Sequence, residues 1–82
     1  MAISVKVTDD EMYDIKNNRG ATIYYGNNIK YDLDTKGKMF YVRLMGLTLF
    51  YMPYDRIEIR DHHKVECVTV IYNGIDLINF HT

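Results

Sequence analysis

The chain holds a single cysteine, Cys67, which excludes an intrachain disulfide and a zinc site built from cysteine pairs. A lone thiol reads either as a sign of an intracellular protein or as a small apolar core residue. Serine also occurs once, as Ser4, in a strand-like stretch without the flanking glycines of a nucleophile elbow. There is no run of about 18 apolar residues, so no membrane-spanning helix is expected. The start, Met1-Ala2-Ile3-Ser4-Val5-Lys6, lacks the apolar stretch of a signal peptide, and a cytoplasmic location is expected. Neither sign of charge dominates: 10 basic residues face 11 acidic ones, for a net charge of -1. That removes the general electrostatic argument for nucleic-acid binding and leaves only a local patch to be considered.

What is present is aromatic and apolar. Tryptophan is absent, yet the 82 residues include 8 Tyr and 5 Met, with one Pro. This length suits one domain over residues 1–82, with a modest buried fraction. The abundance of Tyr, Ile, Asn, Met, Phe and Lys is what an AT-rich genome produces.

Along the chain, Ile3, Val5 and Val7 alternate with Ser4 and Lys6, the period of a half-buried strand. Thr8-Asp9-Asp10-Glu11 then matches a capping box, and its acidic residues suit the positive end of a helix. Met12 and Ile15 supply a short apolar stripe, and Asn17-Asn18-Arg19-Gly20 a stop. Such a short helix must dock on a sheet to persist. From residue 21 onward the pattern is strands and turns. Residues 21–25 are β-formers, Gly26-Asn27-Asn28 is turn chemistry, and Ile29, Tyr31 and Leu33 alternate with Lys30, Asp32 and Asp34. Residues 39–52, interrupted at Gly46 and ended by Pro53, are apolar on both parities and predict strands covered on both sides. Residues 56–60 alternate two isoleucines with three charges, and Asp61-His62-His63 reads as a polar connector.

Asn73-Gly74 between two apolar runs is the strongest hairpin signal in the chain. A two-residue turn there sets Tyr72, Val70 and Val68 against Ile75, Leu77 and Asn79. On the other side Ile71, Thr69 and Cys67 then meet Asp76, Ile78 and Phe80, with Glu66 opposite His81. This register leaves Ile71, Ile78, Cys67 and Phe80 on a second apolar face, to be covered in part by the helix and for the rest by a partner chain.

Each candidate chemistry has a plain structural alternative. His62, His63, His81, Cys67, Glu66 and Asp61 are metal-ligating types, but adjacent histidines on an extended chain point to opposite sides, and no ligand spacing supports a metal. We expect no metal, no cofactor and no catalysis: Cys67 sits among apolar neighbours, and Asp9, Asp10, Glu11 and Asp14 serve a helix start. Tyr41, Tyr51 and Tyr54 lie near Lys38, Arg43, Arg56, Arg60 and Lys64, and of these Tyr41, Tyr54, Arg43, Arg56 and Arg60 are the set that a nucleic acid or a nucleotide-like ligand would use. Met45, Phe50, Tyr51, Met52 and Tyr54, joined by Ile71, Ile78 and Phe80, form the expected protein interface.

The fold class expected is α+β, mostly antiparallel. It would be a small curved sheet or an SH3- or Sm-like barrel of five to seven strands, with one short N-terminal helix. The expected function is non-catalytic binding, as a homodimer or by capping a larger protein partner. A chain of this kind suits a phage or mobile-element accessory protein that inhibits a host machine. The first alternative is a small nucleic-acid-binding barrel. The second is a nucleotide-like ligand held at a dimer interface.

Overall fold

A computed structural model describes residues 3–82, apart from the side chain of His62. Met1 and Ala2, part of the stretch read above as leaderless, lie outside the described residues. The chain forms β1 (Ile3–Lys6), α1 (Asp9–Lys16), β2 (Ala21–Tyr25), β3 (Ile29–Asp34), β4 (Met39–Leu44), β5 (Leu47–Pro53), β6 (Arg56–His62), β7 (Val65–Tyr72) and β8 (Ile75–His81).

The α+β class and the mostly antiparallel pairing hold, but the strand count and the closed barrel do not. Among the described residues eight strands form two four-stranded sheets. The second sheet is a meander in the order β2-β3-β4-β5. The first runs β1-β8-β7-β6, in which β1 is parallel to β8 and the other pairs are antiparallel. The switch between sheets occurs at Tyr54 and Asp55. The Tyr54 amide donates to Lys38 O at 3.0 Å and extends the β4–β5 ladder, while the Asp55 amide donates to Ile71 O at 2.7 Å and opens the next one. Two residues suffice for the corner because Pro53 ends β5 and Tyr54 turns its ring inward. The chain passes from one sheet to the other here, with β5 and β6 in different sheets.

The helix forms where the capping box placed it. The Thr8 amide donates to Glu11 Oε1 at 2.8 Å, and the Glu11 amide donates to Thr8 Oγ1 at 3.2 Å. Met12 and Ile15 are buried against the core, and α1 packs beside β2. Lys16 on α1 pairs with Glu66 on β7. The turn back into β2 needs Gly20, which has φ +73°, and where a Cβ would meet Leu33 O at 3.2 Å.

One core joins both sheets and the helix. Val5, Val68, Val70, Ile78 and Phe80 come from the first sheet, and Ile23, Tyr31, Leu33, Phe40 and Val42 from the second. The rings of Tyr31 and Phe40 lie nearly parallel at 6.0 Å. The alternation in β2, β3 and β4 therefore reports core side against outer side, as the period-two pattern implies.

The last hairpin departs from the expected register. Tyr72 faces Ile75 and Ile71 faces Asp76, as a two-residue turn dictates, with Asn73 and Gly74 both at positive φ. A bulge then shifts the pairing between Val70 and Ile71, so Val70 meets Ile78, Thr69 meets Asn79 and Val68 meets Phe80. One extra residue on a strand reverses which side its neighbours face. Ile78 and Phe80 thus join Val70 and Val68 on the core side, and Ile71, Ile78 and Phe80 are all buried within the monomer. The outer side of β7 and β8 carries Cys67, Thr69, Asn79 and His81 instead of a second apolar face. Glu66 does not oppose His81; Cys67 does.

Candidate interaction surface

Strand β5 is the exception to the burial rule. It forms one edge of the second sheet, and its large side chains are open to solvent: Leu47 is 72% exposed, and Leu49, Phe50 and Tyr51 are also exposed. The expectation of cover on both sides fails here, because no strand among the described residues lies beyond β5. Met45, in the two-residue β4–β5 turn with Gly46, is 75% exposed. Both turn residues have positive φ, which suits Gly46 and not a methionine. On the core side, the row Tyr25, Ile29, Leu44 and Leu47 runs across the sheet from β2 to β5. Its two ends, Tyr25 and Leu47, are exposed and its middle is half-buried, so the apolar edge continues onto this end of the sheet.

The four sheet edges differ in how they are protected. β6 carries Arg56, Glu58, Arg60 and Asp61, and β1 is four residues long and ends in Lys6. Charge and shortness both discourage pairing with another chain. β2 has no charge but lies beside α1. β5 has neither charge nor cover, and residues 45–54 contain no ionisable acid or base other than tyrosine. A bulge opposite Val42 and Arg43 interrupts its ladder near Leu49; Phe50, Tyr51, Met52 and Pro53 follow in regular register.

The outer side of the second sheet gathers aromatic and basic residues into two rows. Tyr24, Lys30, Arg43 and Thr48 are successive cross-strand partners, as are Thr22, Asp32, Tyr41 and Tyr51. Lys30 Nζ lies 5.0 Å from the centre of the Tyr24 ring, and the Arg43 guanidinium 5.1 Å from that of Tyr41. The Tyr41 and Tyr51 rings are 6.1 Å apart. Arg43 Nε sits 3.2 Å from Asp32 Oδ2, close enough for an ion pair, but the N–H is not aimed to form a hydrogen bond.

The expected Tyr–Arg site is therefore divided. Tyr41 and Arg43 share a side of the second sheet, and Tyr24, Lys30 and Tyr51 join them there. Tyr54 is buried at the corner, where burial pushes its phenol above the ordinary value of 10 and the Asp34 carboxylate adds to the shift. Burial, with a smaller effect of Tyr25, also raises Tyr31. Arg56 and Arg60 fall on the first sheet, because the chain changes sheets at Tyr54. They are occupied there: Arg56 Nη2 is 2.7 Å from Glu58 Oε2, and Arg60 Nη1 is 2.9 Å from Asp76 Oδ2. The two arginines hold the Glu58 carboxyl below its usual range through hydrogen bonds, that of Arg56 the larger. Of the expected interface residues, Met45, Phe50 and Tyr51 are exposed and Met52 is half-buried, while Tyr54, Ile71, Ile78 and Phe80 are interior.

The other candidate chemistries stay dispersed. Thr69 is 1% exposed and its hydroxyl is 2.6 Å from Asn79 Oδ1, which it satisfies. Cys67 is a free, half-buried thiol. His63 with Lys64 forms the two-residue β6–β7 turn, both at positive φ, and the side chain of His62 lies outside the described residues. Among the described residues no three His, Cys, Asp or Glu side chains gather to hold a metal ion, and no helix is long and apolar enough to cross a membrane. No protein-family model, curated protein or solved structure matches the chain.

Proposed function

We propose that this chain is a small non-catalytic interaction protein that works as a homodimer, β5 of one copy pairing antiparallel with β5 of the other. The observation that carries the reading is the exposure of an uncharged, apolar edge strand where the other edges are charged, short or covered. An open edge presents unpaired N–H and C=O groups, and a second strand satisfies them. A second copy fits because the strand is self-complementary. Antiparallel pairing with itself sets no like charges opposite one another, and it covers Phe50 on the core side of the joined sheet. The regular segment after the bulge supplies the pairing, and the Met45-Leu47 tip packs beside it.

Size-exclusion chromatography with light scattering tests this. The expected mass is twice 9.7 kDa, falling on dilution. Tyr51→Lys, which places a charge on the edge, should give a monomer with an unchanged far-ultraviolet spectrum. A wild-type protein that stays at 9.7 kDa at millimolar concentration would overturn the reading.

A further inference from the structure

The outer side of the second sheet poses a separate question, because its composition is not what a solvated sheet face requires. Tyr24 is 69% exposed and Tyr51 65% exposed, so much of each ring is open to water. Lys30 and Arg43 are direct cross-strand partners. Like charges directly opposite each other on a sheet are destabilising. Asp32 offsets only one of them: it pairs with Arg43, and Arg43 Nε is left buried without a hydrogen bond. The Lys30 ammonium lies over the Tyr24 ring. An anion seated between Lys30 and Arg43 would relieve their repulsion.

The rings flank that position on both sides. Tyr24 stands next to Lys30 in one row, and Tyr41 and Tyr51 stand beside Arg43 in the adjacent row. β2 and β5 are three strand spacings apart, roughly 14 Å, which separates the Tyr24 and Tyr51 rings across the sheet. A shallow depression bounded by Tyr24, Asn28, Lys30, Met45 and Gly46 opens at the end of the first row. A ligand that matches this surface carries phosphates for the cations and flat rings for the tyrosines. It also needs enough length to reach from one side of the sheet to the other. We infer that this face binds single-stranded nucleic acid, the phosphates lying over Lys30 and Arg43 and the bases stacking on Tyr24 and Tyr51. The chain's net charge of -1 is compatible with this, because stacking supplies a large part of the binding and the cations are local. The inference does not depend on the dimer, although β5 pairing would place two such faces side by side.

Fluorescence anisotropy of a labelled oligothymidylate or oligouridylate of about ten nucleotides tests it, at low salt and protein concentrations up to about 100 µM. Saturable binding is expected. With two phosphate contacts on a single strand, affinity should fall about sevenfold between 50 and 200 mM salt. Tyr24→Ala and Tyr51→Ala should each weaken binding about tenfold, whereas Tyr24→Phe and Tyr51→Phe, which keep the ring, should restore it. Lys30→Glu should weaken binding and flatten the salt dependence. Tyr13→Ala is the control: Tyr13 is exposed on α1 and pairs with Arg19 at 5.3 Å, but it lies off this face. Three results would overturn the inference. One is no binding at low salt. Another is binding that Tyr13→Ala and Tyr24→Ala reduce alike. The third is a mononucleotide or inorganic phosphate that binds as tightly as the oligomer, which would make the site a small-anion pocket. Light scattering on Lys30→Glu and Tyr24→Ala, which lie on β3 and β2 and leave β5 intact, separates failure here from failure of the dimer: both should weaken binding while keeping the mass of the native protein.

Discussion

Single side chains in this protein are placed by backbone geometry as much as by burial. Met45 holds φ +51° at a hairpin tip, a conformation in which the Cβ of an L-residue crowds the chain. Asparagine accepts it more easily, as Asn73 does in the β7–β8 turn. Met45→Asn should therefore stabilise the fold by about 1 kcal/mol, read from the urea midpoint in the Tyr51→Lys background so that association does not contribute. If the apolar tip belongs to the dimer contact, the same change in the otherwise native chain should weaken the dimer. Tyr54 makes a different prediction. Its phenol has a folded-state value raised above 10 by burial and by Asp34. A raised folded value means that the native state holds its proton longer than the unfolded chain does. The associated stability is complete below pH 10 and is lost as pH rises through the folded value. Tyr54→Phe should reduce the loss of stability measured on the alkaline side, and Tyr31→Phe should reduce what remains, since Tyr31 is raised for the same reason.

At the level of elements, local chemistry was legible wherever a residue pair acts alone. Thr8 and Glu11 cap the helix, Asn73-Gly74 turns the last hairpin, and Pro53 ends β5. The β7–β8 register was legible only as far as Asp76. The bulge that follows has no turn residue to announce it: Leu77 is an ordinary strand former, and the extra residue is selected by which side Ile78 and Phe80 must face. The consequence is energetic as well as geometric. Phe80 is wholly buried among residues of both sheets, so Phe80→Ala should cost about 3–5 kcal/mol of monomer stability by urea denaturation. A Phe80 substitution that dissociated the dimer while sparing the fold would contradict this placement. The His63-Lys64 turn was also unreadable, since neither residue is a usual left-handed one and the polar stretch before it resembles a loop.

The molecule as a whole turns on one two-residue corner. Tyr54 and Asp55 carry the chain from the second sheet to the first, and this step scatters residues that look like neighbours in the sequence. Tyr41 and Arg43 stay on one sheet while Arg56 and Arg60 move to the other and pair with Glu58 and Asp76. The face that forms instead joins Tyr24 and Lys30 to Tyr41, Arg43 and Tyr51; it draws on residues up to 27 positions apart, and no local pattern reveals the contribution of Tyr24 and Lys30. The same corner leaves β5 as an edge, so the apolar surplus expected over residues 39–52 and over β7 and β8 is concentrated on β5, where Leu47, Leu49, Phe50 and Tyr51 are exposed in one strand. The central claim is that this edge is paired by its own copy. Hydrogen exchange of the β5 amides, followed at residue resolution as protein concentration is raised, tests it most directly. The outward amides of β5 should become protected at concentrations where the mass doubles, while those of β6, on an edge of the other sheet, keep their rates. Exchange from β5 as fast as from an open edge at every concentration would contradict the account.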